Sequence, residues 1–187
     1  MLILTSEDIE SCFVQLPDMP PSIGFKYRNW HFYFDSQVKN YEKSVAQCHH
    51  WLDNPEKAGE LRALVKDSQG GCQLCVHLPE LQPIPEDTAM KAICEYMRTS
   101  GEIKVGSHRH QLRIYKKCFV GSEAVTWIAE RLKMPRDRAV EFGRKCLKQG
   151  LFCHVLGEQD FEDSKLLYRF AGDGGPDQKH QSFVLSK

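Results

Sequence analysis

Between Thr88 and Phe170 the apolar residues switch from helical spacing to extended, back to helical, and finally to extended again. That order of periods restricts the fold more than any bulk property of the chain. Ala89, Met90, Ile93 and Met97 form a helical stripe that begins after the carboxylates Glu86 and Asp87 and stops before Gly101; acidic residues favour a helix N-terminus. Gly121 and Ser122 end the apolar run Cys118-Phe119-Val120. A serine there offers a side-chain acceptor to the free N–H groups of a first turn, so a helix is expected to start at Ser122. Val125, Ile128, Ala129 and Leu132 then share one face, opposite Glu123, Glu130, Arg131 and Lys133. Pro135 suits the first turn of the next helix, Ala139, Phe142, Cys146 and Leu147 repeat the spacing, and Gly150 is placed to close it. Beyond Gly150 the period becomes extended, with an apolar run at 151–156, a polar turn at 157–164, and Leu166, Tyr168 and Phe170 alternating with Leu167 and Arg169.

The order is therefore helix, extended arm, helix, helix, hairpin, which in this length gives one modest core. The predicted class is α+β: a winged-helix-like domain with a three-helix core, a β-hairpin arm between the first and second helices and a small C-terminal β wing. A small N-terminal α/β region is expected before it. The residues Leu112, Tyr115, Cys118, Phe119, Gly121 to Val125 and Trp127 set the first part of a recognisable pattern. Ala139-Val140, Gly150, His154-Val155, Phe161 and Leu167-Tyr168-Arg169-Phe170 complete it. Together they resemble a DEP domain, the module of Dishevelled, pleckstrin and several regulators of G-protein signalling, over just under half of the chain. The sequence departs from that family at Thr126, at Lys116-Lys117 and at His108, so the resemblance implies a fold and a binding region, not a particular partner. Trp127, Phe142, Tyr168 and Phe170 are expected in the core, and His154 as a packed structural histidine.

From Ile103 to Ser122 there is no Asp or Glu, while Lys104, Arg109, Arg113, Lys116 and Lys117 all fall there with His108 and His110. The chain has 25 basic and 25 acidic residues, so this positive charge is local. A local anionic partner is expected for those five residues. Each cation beside an anionic lipid surface contributes on the order of 1 kcal/mol, and the resemblance implies the same region binds acidic phospholipid or a membrane-associated protein of a receptor or G-protein pathway. A scaffold that binds protein without lipid is the alternative, and solvated lysines guarding a strand edge are the bland one. DNA is not expected, because the candidate helices carry Glu123, Glu130, Asp137 and Glu141 and the net charge is zero. A projecting hairpin can also exchange with a second copy, making a hairpin-exchanged dimer a further expected form.

The expected domain limits are 1–86 for the N-terminal region, 87–171 for the DEP-like domain and 172–187 for a flexible tail. In the first region Trp30, Phe32 and Phe34 alternate as in a strand, helices are predicted at Gln37–Leu52 and Pro55–Asp67, and Pro79, Pro83 and Pro85 mark a linker. Eight cysteines without a secretory pattern read as free thiols. Cys72-x-x-Cys75 with His77 and Cys48 has zinc-ligand chemistry, but one ligand pair is too few to define a site, so no metal and no cofactor is expected. A zinc-stabilised N-terminal module is the reading from another class. The chain contains no phosphate-cradling or nucleophile-elbow motif. Together these features describe a non-catalytic, cytoplasmic signalling or adaptor module with peripheral membrane association.

Overall fold

The computed structural model describes residues 2–38, 42–43, 45–46, 61–66, 72–110, 113–157 and 159–176. The chain divides into two compact units, residues 1–92 and 93–187.

The first unit is built on a seven-stranded sheet. Its strands are β1 (Leu2–Thr5), β2 (Glu10–Gln15), β3 (Ser22–Tyr27), β4 (Trp30–Val38), β5 (Leu61–Lys66), β6 (Cys72–His77) and β7 (Gln82–Ile84), in the spatial order β1-β5-β6-β4-β3-β2-β7. All neighbours are antiparallel except β1 and β5, which run parallel with Leu2 opposite Ala63. The alternation of Trp30, Phe32 and Phe34 does make a strand, and Phe32 stacks on Phe25 across the β3–β4 pair with ring centroids 4.9 Å apart. Those two rings join Leu4, Ala63, Val65 and Cys75 in one buried cluster. Leu64, Cys72 and Leu74 form a separate one, with Val45 against it.

Two expectations change here, and the alternative zinc reading loses its central pair. The segment Leu61–Lys66 is a strand, not part of a helix: Arg62, Ala63, Leu64 and Val65 are all buried, and a strand between two neighbours hides both faces. Pro83 lies in edge strand β7 opposite Val14, and not in a linker; an edge strand tolerates a residue without an N–H. The zinc reading also fails for its central pair. Cys72 and Cys75 are three residues apart on one strand, so their side chains leave opposite faces and enter different clusters, Cys72 beside Leu74 and Cys75 beside Phe25. The nitrogen Nδ1 of His77 lies 2.8 Å from the carbonyl oxygen of His31. Cys48 lies outside the described residues, as do the predicted helix at 55–60, the tail from 177 and most of the helix predicted at Gln37–Leu52.

The division between units falls inside helix α1 (Glu86–Thr99). The second unit continues with β8 (Gly106–His110), β9 (Arg113–Val120), α2 (Gly121–Arg131), α3 (Arg136–Lys148), β10 (Phe152–His154) and β11 (Leu167–Phe170). Its sheet has the order β10-β11-β9-β8 and is antiparallel throughout. Helix, hairpin, helix, helix and hairpin thus follow one another as the sequence periods require.

The core of this unit is aromatic. Phe119 lies 4.5 Å from Phe170, Phe161 lies 5.0 Å from Tyr168 and 5.2 Å from Phe152, between ring centroids. Onto it α2 turns Ala124, Val125 and Ile128, and α3 turns Ala139, Phe142 and Cys146, all buried. Each large apolar side chain removed from water contributes roughly 1.5–3 kcal/mol, which makes this cluster the main source of the unit's stability. His154 is buried with its ring against Tyr168, as expected.

Ser122 does not cap α2. The cap position is Val120, and the first-turn N–H groups of Gly121 and Ser122 donate instead to the carbonyls of Leu166 and Ser164 at 2.9 and 2.8 Å. The approach to β11 therefore does the work assigned to the hydroxyl. Gly150 does close α3: it takes φ +70, its N–H donates to Leu147, and the N–H of Leu151 donates to Cys146. That pair of bonds is a Schellman ending, where glycine adopts the left-handed conformation without a Cβ penalty. Among the described residues no helix is long and apolar enough to cross a membrane.

Candidate functional site

The arm is the hairpin of β8 and β9, paired Gly106 to Cys118, His108 to Tyr115, Arg109 to Ile114 and His110 to Arg113. Between the first two pairs β8 advances two residues and β9 three, so β9 carries a bulge at Lys116-Lys117. Lys117 takes φ 54, an uncommon left-handed conformation for a residue with a side chain. The bulge brings Tyr115 and Cys118 to the same buried side, where both pack with Val155 and Leu167. Without it, strict alternation would turn one of them to solvent.

Arg169 of β11 holds the bulge in place. Its Nε donates to the carbonyl of Lys116 at 3.1 Å and its Nη1 to the carbonyl of Gly175 at 2.7 Å. The thiol of Cys118 donates to the same Lys116 carbonyl at 3.0 Å. Arg169 is a buried cation, and these bonds give its guanidinium the fixed acceptors that burial demands.

The base of the arm is fastened at Glu102. One carboxylate oxygen accepts from Tyr96 Oη at 2.8 Å, the other from Trp127 Nε1 at 2.6 Å. Bonds from Trp127 and then Tyr96 favour the charged form and hold the carboxyl below its usual range. The buried Ile103 follows directly, so the arm leaves the core from a fixed point.

All five cations singled out in the sequence, Lys104, Arg109, Arg113, Lys116 and Lys117, are exposed on this arm or at its root. Lys117 approaches Asp173 at 3.7 Å. Among the described residues Lys104, Arg109, Arg113 and Lys116 form no ion pair. The other basic surface, on α3, differs in this respect. Arg136 forms a two-pronged bond to Asp163 at 2.7 and 2.9 Å, Arg138 meets Glu141 at 3.0 Å, and Arg144 reaches Asp160 at 3.4 Å. The guanidinium charges of α3 are met within the domain, while the arm projects charge outward. Among the described residues no three metal-binding side chains converge.

Sequence reasoning identified the cations but missed the bulge, the part played by Arg169, and Ile114, which is 66% exposed in the middle of them. Only Ile114 had a usable signal: if Tyr115 faces the core, its neighbour in a strand faces out.

The arm, the four-stranded sheet and the aromatic core fall within one stretch that matches the DEP domain family. Residues 102–170 match the family model described as "Domain found in Dishevelled, Egl-10, and Pleckstrin (DEP)". Among curated relatives, the chain is similar to the vacuolar membrane-associated protein iml1 of Aspergillus terreus, 26% identical over 146 residues, which cover 75% of this chain and 8% of that protein. It is 32% identical over 83 residues to its namesake in Saccharomyces cerevisiae, covering 43% of this chain and 5% of that one. In Schizosaccharomyces pombe the figures are 33% over 86 residues, 45% and 6%. The chain thus spans less than a tenth of the length of these relatives. The 146-residue match is longer than the second unit, so it takes in part of the strand-rich unit as well.

Proposed function

We propose that the DEP domain is a non-catalytic attachment module with a winged-helix arrangement, and that its arm holds the protein at the cytoplasmic face of an anionic membrane. The observation that carries this reading is the set of four exposed arm cations that form no ion pair among the described residues, set against the paired arginines of α3. Charge left without a partner inside the domain is available to one outside it, and a lipid surface supplies anions at a density that a set of dispersed cations can meet. The relatives' description as vacuolar membrane-associated supports the same location. Attachment is peripheral, and the domain acts as an address for the chain that carries it.

Co-sedimentation with phosphatidylserine or phosphatidic acid vesicles tests this. Binding should fall as salt rises and fall again in the double variant Arg113→Glu, Lys116→Glu. Binding unaffected by charge reversal, or no binding by the unaltered chain, would overturn the lipid reading and leave a protein partner as the target of the arm.

A further inference from the structure

Ile114 is among the most exposed large apolar residues described, and it lies within the acid-free segment. It pairs across the hairpin with Arg109. Two positions along β9, on the same face, is Lys116, while Tyr115 turns the opposite way into the core. The exposed face of the arm therefore has one isoleucine with a cation beside it on each strand. A strand edge that needed only protection from aggregation would place a polar residue there.

We infer that Ile114 enters the acyl region of the bilayer while Arg109 and Lys116 remain at the headgroups. This rests on the membrane reading above and adds a depth to it. Cations adsorb to phosphate from outside; an aliphatic side chain between them gains only if it leaves water altogether. Long basic side chains reach outward from an inserted isoleucine to the headgroup level, so the two kinds of contact are compatible in one face. The anionic bilayer is the occupant that fits both the apolar centre and the charge around it.

The test uses the 187-residue chain with phosphatidylcholine vesicles containing phosphatidylserine. Ile114→Ser should weaken partitioning about tenfold, the scale of burying one isoleucine, and this loss should persist at a salt concentration that removes most of the electrostatic part. Ile114→Trp should restore binding, and its added fluorescence should be quenched by bromine placed on the acyl chains. If Ile114→Ser binds as the unaltered chain does while Arg109→Glu with Lys116→Glu does not, insertion is wrong and the arm adsorbs by charge alone. If the unaltered chain binds no anionic vesicles, the membrane reading fails and insertion fails with it. If Ile114→Trp binds but acyl bromines leave its emission unchanged, the side chain stays at the surface and the inference is overturned.

Discussion

Arg169 donates to the carbonyl of Lys116 across 53 residues of sequence, so a buried cation in β11 braces the backbone of the arm. Replacing it with alanine removes a charged donor from two part-buried hydrogen bonds, one to Gly175 and one to Lys116, whose carbonyl then keeps only the Cys118 thiol. Arg169→Ala should destabilise the domain by about 1–3 kcal/mol in urea unfolding, the usual scale of losing hydrogen bonds from a charged donor. It should also shift backbone amide resonances at Lys116 and Lys117, and unchanged shifts there would show that the bulge stands without it.

Gly143 on α3 faces Phe161 so closely that a Cβ would lie 2.1 Å from the ring. Phe161 is fully buried and packed by Phe152 and Tyr168, so it has little room to retreat. Gly143→Ala should therefore lower stability by about 1–3 kcal/mol by overpacking, although alanine is the better helix former. A rise in the unfolding midpoint would contradict this packing.

Tyr168 Oη donates to the carbonyl of Asp160 at 2.6 Å and accepts from the N–H of Glu162 at 3.1 Å, tying the loop before β11 to the core; burial pushes its phenol up to about 12. Tyr168→Phe keeps the ring packing and removes both bonds. The expected cost is about 1–3 kcal/mol in chemical denaturation, with faster amide exchange at Glu162. Protection unchanged at Glu162 would mean the loop is held by other contacts.

Glu102 gives a pH dependence. Its carboxyl titrates lower in the folded chain than when unfolded, because the charged form accepts from Trp127 and Tyr96. A depressed carboxyl contributes stability that is present above its unfolded pKa, near 4.5, and lost as pH falls through the folded value. Acid should therefore weaken the unaltered chain more than Glu102→Gln, whose side chain does not titrate. Parallel stability curves for the two between pH 6 and the acid limb, about two units lower, would remove Glu102 from the account.

Much of the second unit could be read from local signals. The stripes of α2 and α3, the glycine after α3 and the alternation ending at Phe170 each need only a single element's periodicity. Elements that depend on distant partners were not legible. Leu61–Lys66 looks helical by spacing because a strand buried on both faces has no alternation to display. The Lys116-Lys117 bulge has no glycine to announce it and is fixed by a residue from another strand. Ser122 had suitable chemistry for a cap, but backbone carbonyls of a later segment took its place. The five cations were visible as composition; that four of them, Lys104, Arg109, Arg113 and Lys116, form no ion pair among the described residues was visible only in three dimensions.

Strand β9 runs from Arg113 to Val120, pairing with β8 along the arm and with β11 through Phe119 and Val120, and α2 follows it without a spacer. A flexible tether would let the domain tumble over whatever it grips. Here the arm and α2 are joined through one strand, so under the proposed attachment docking the arm would also set the tilt and roll of α2. On the proposed reading, attachment through the arm would fix an orientation of the domain as well as a place.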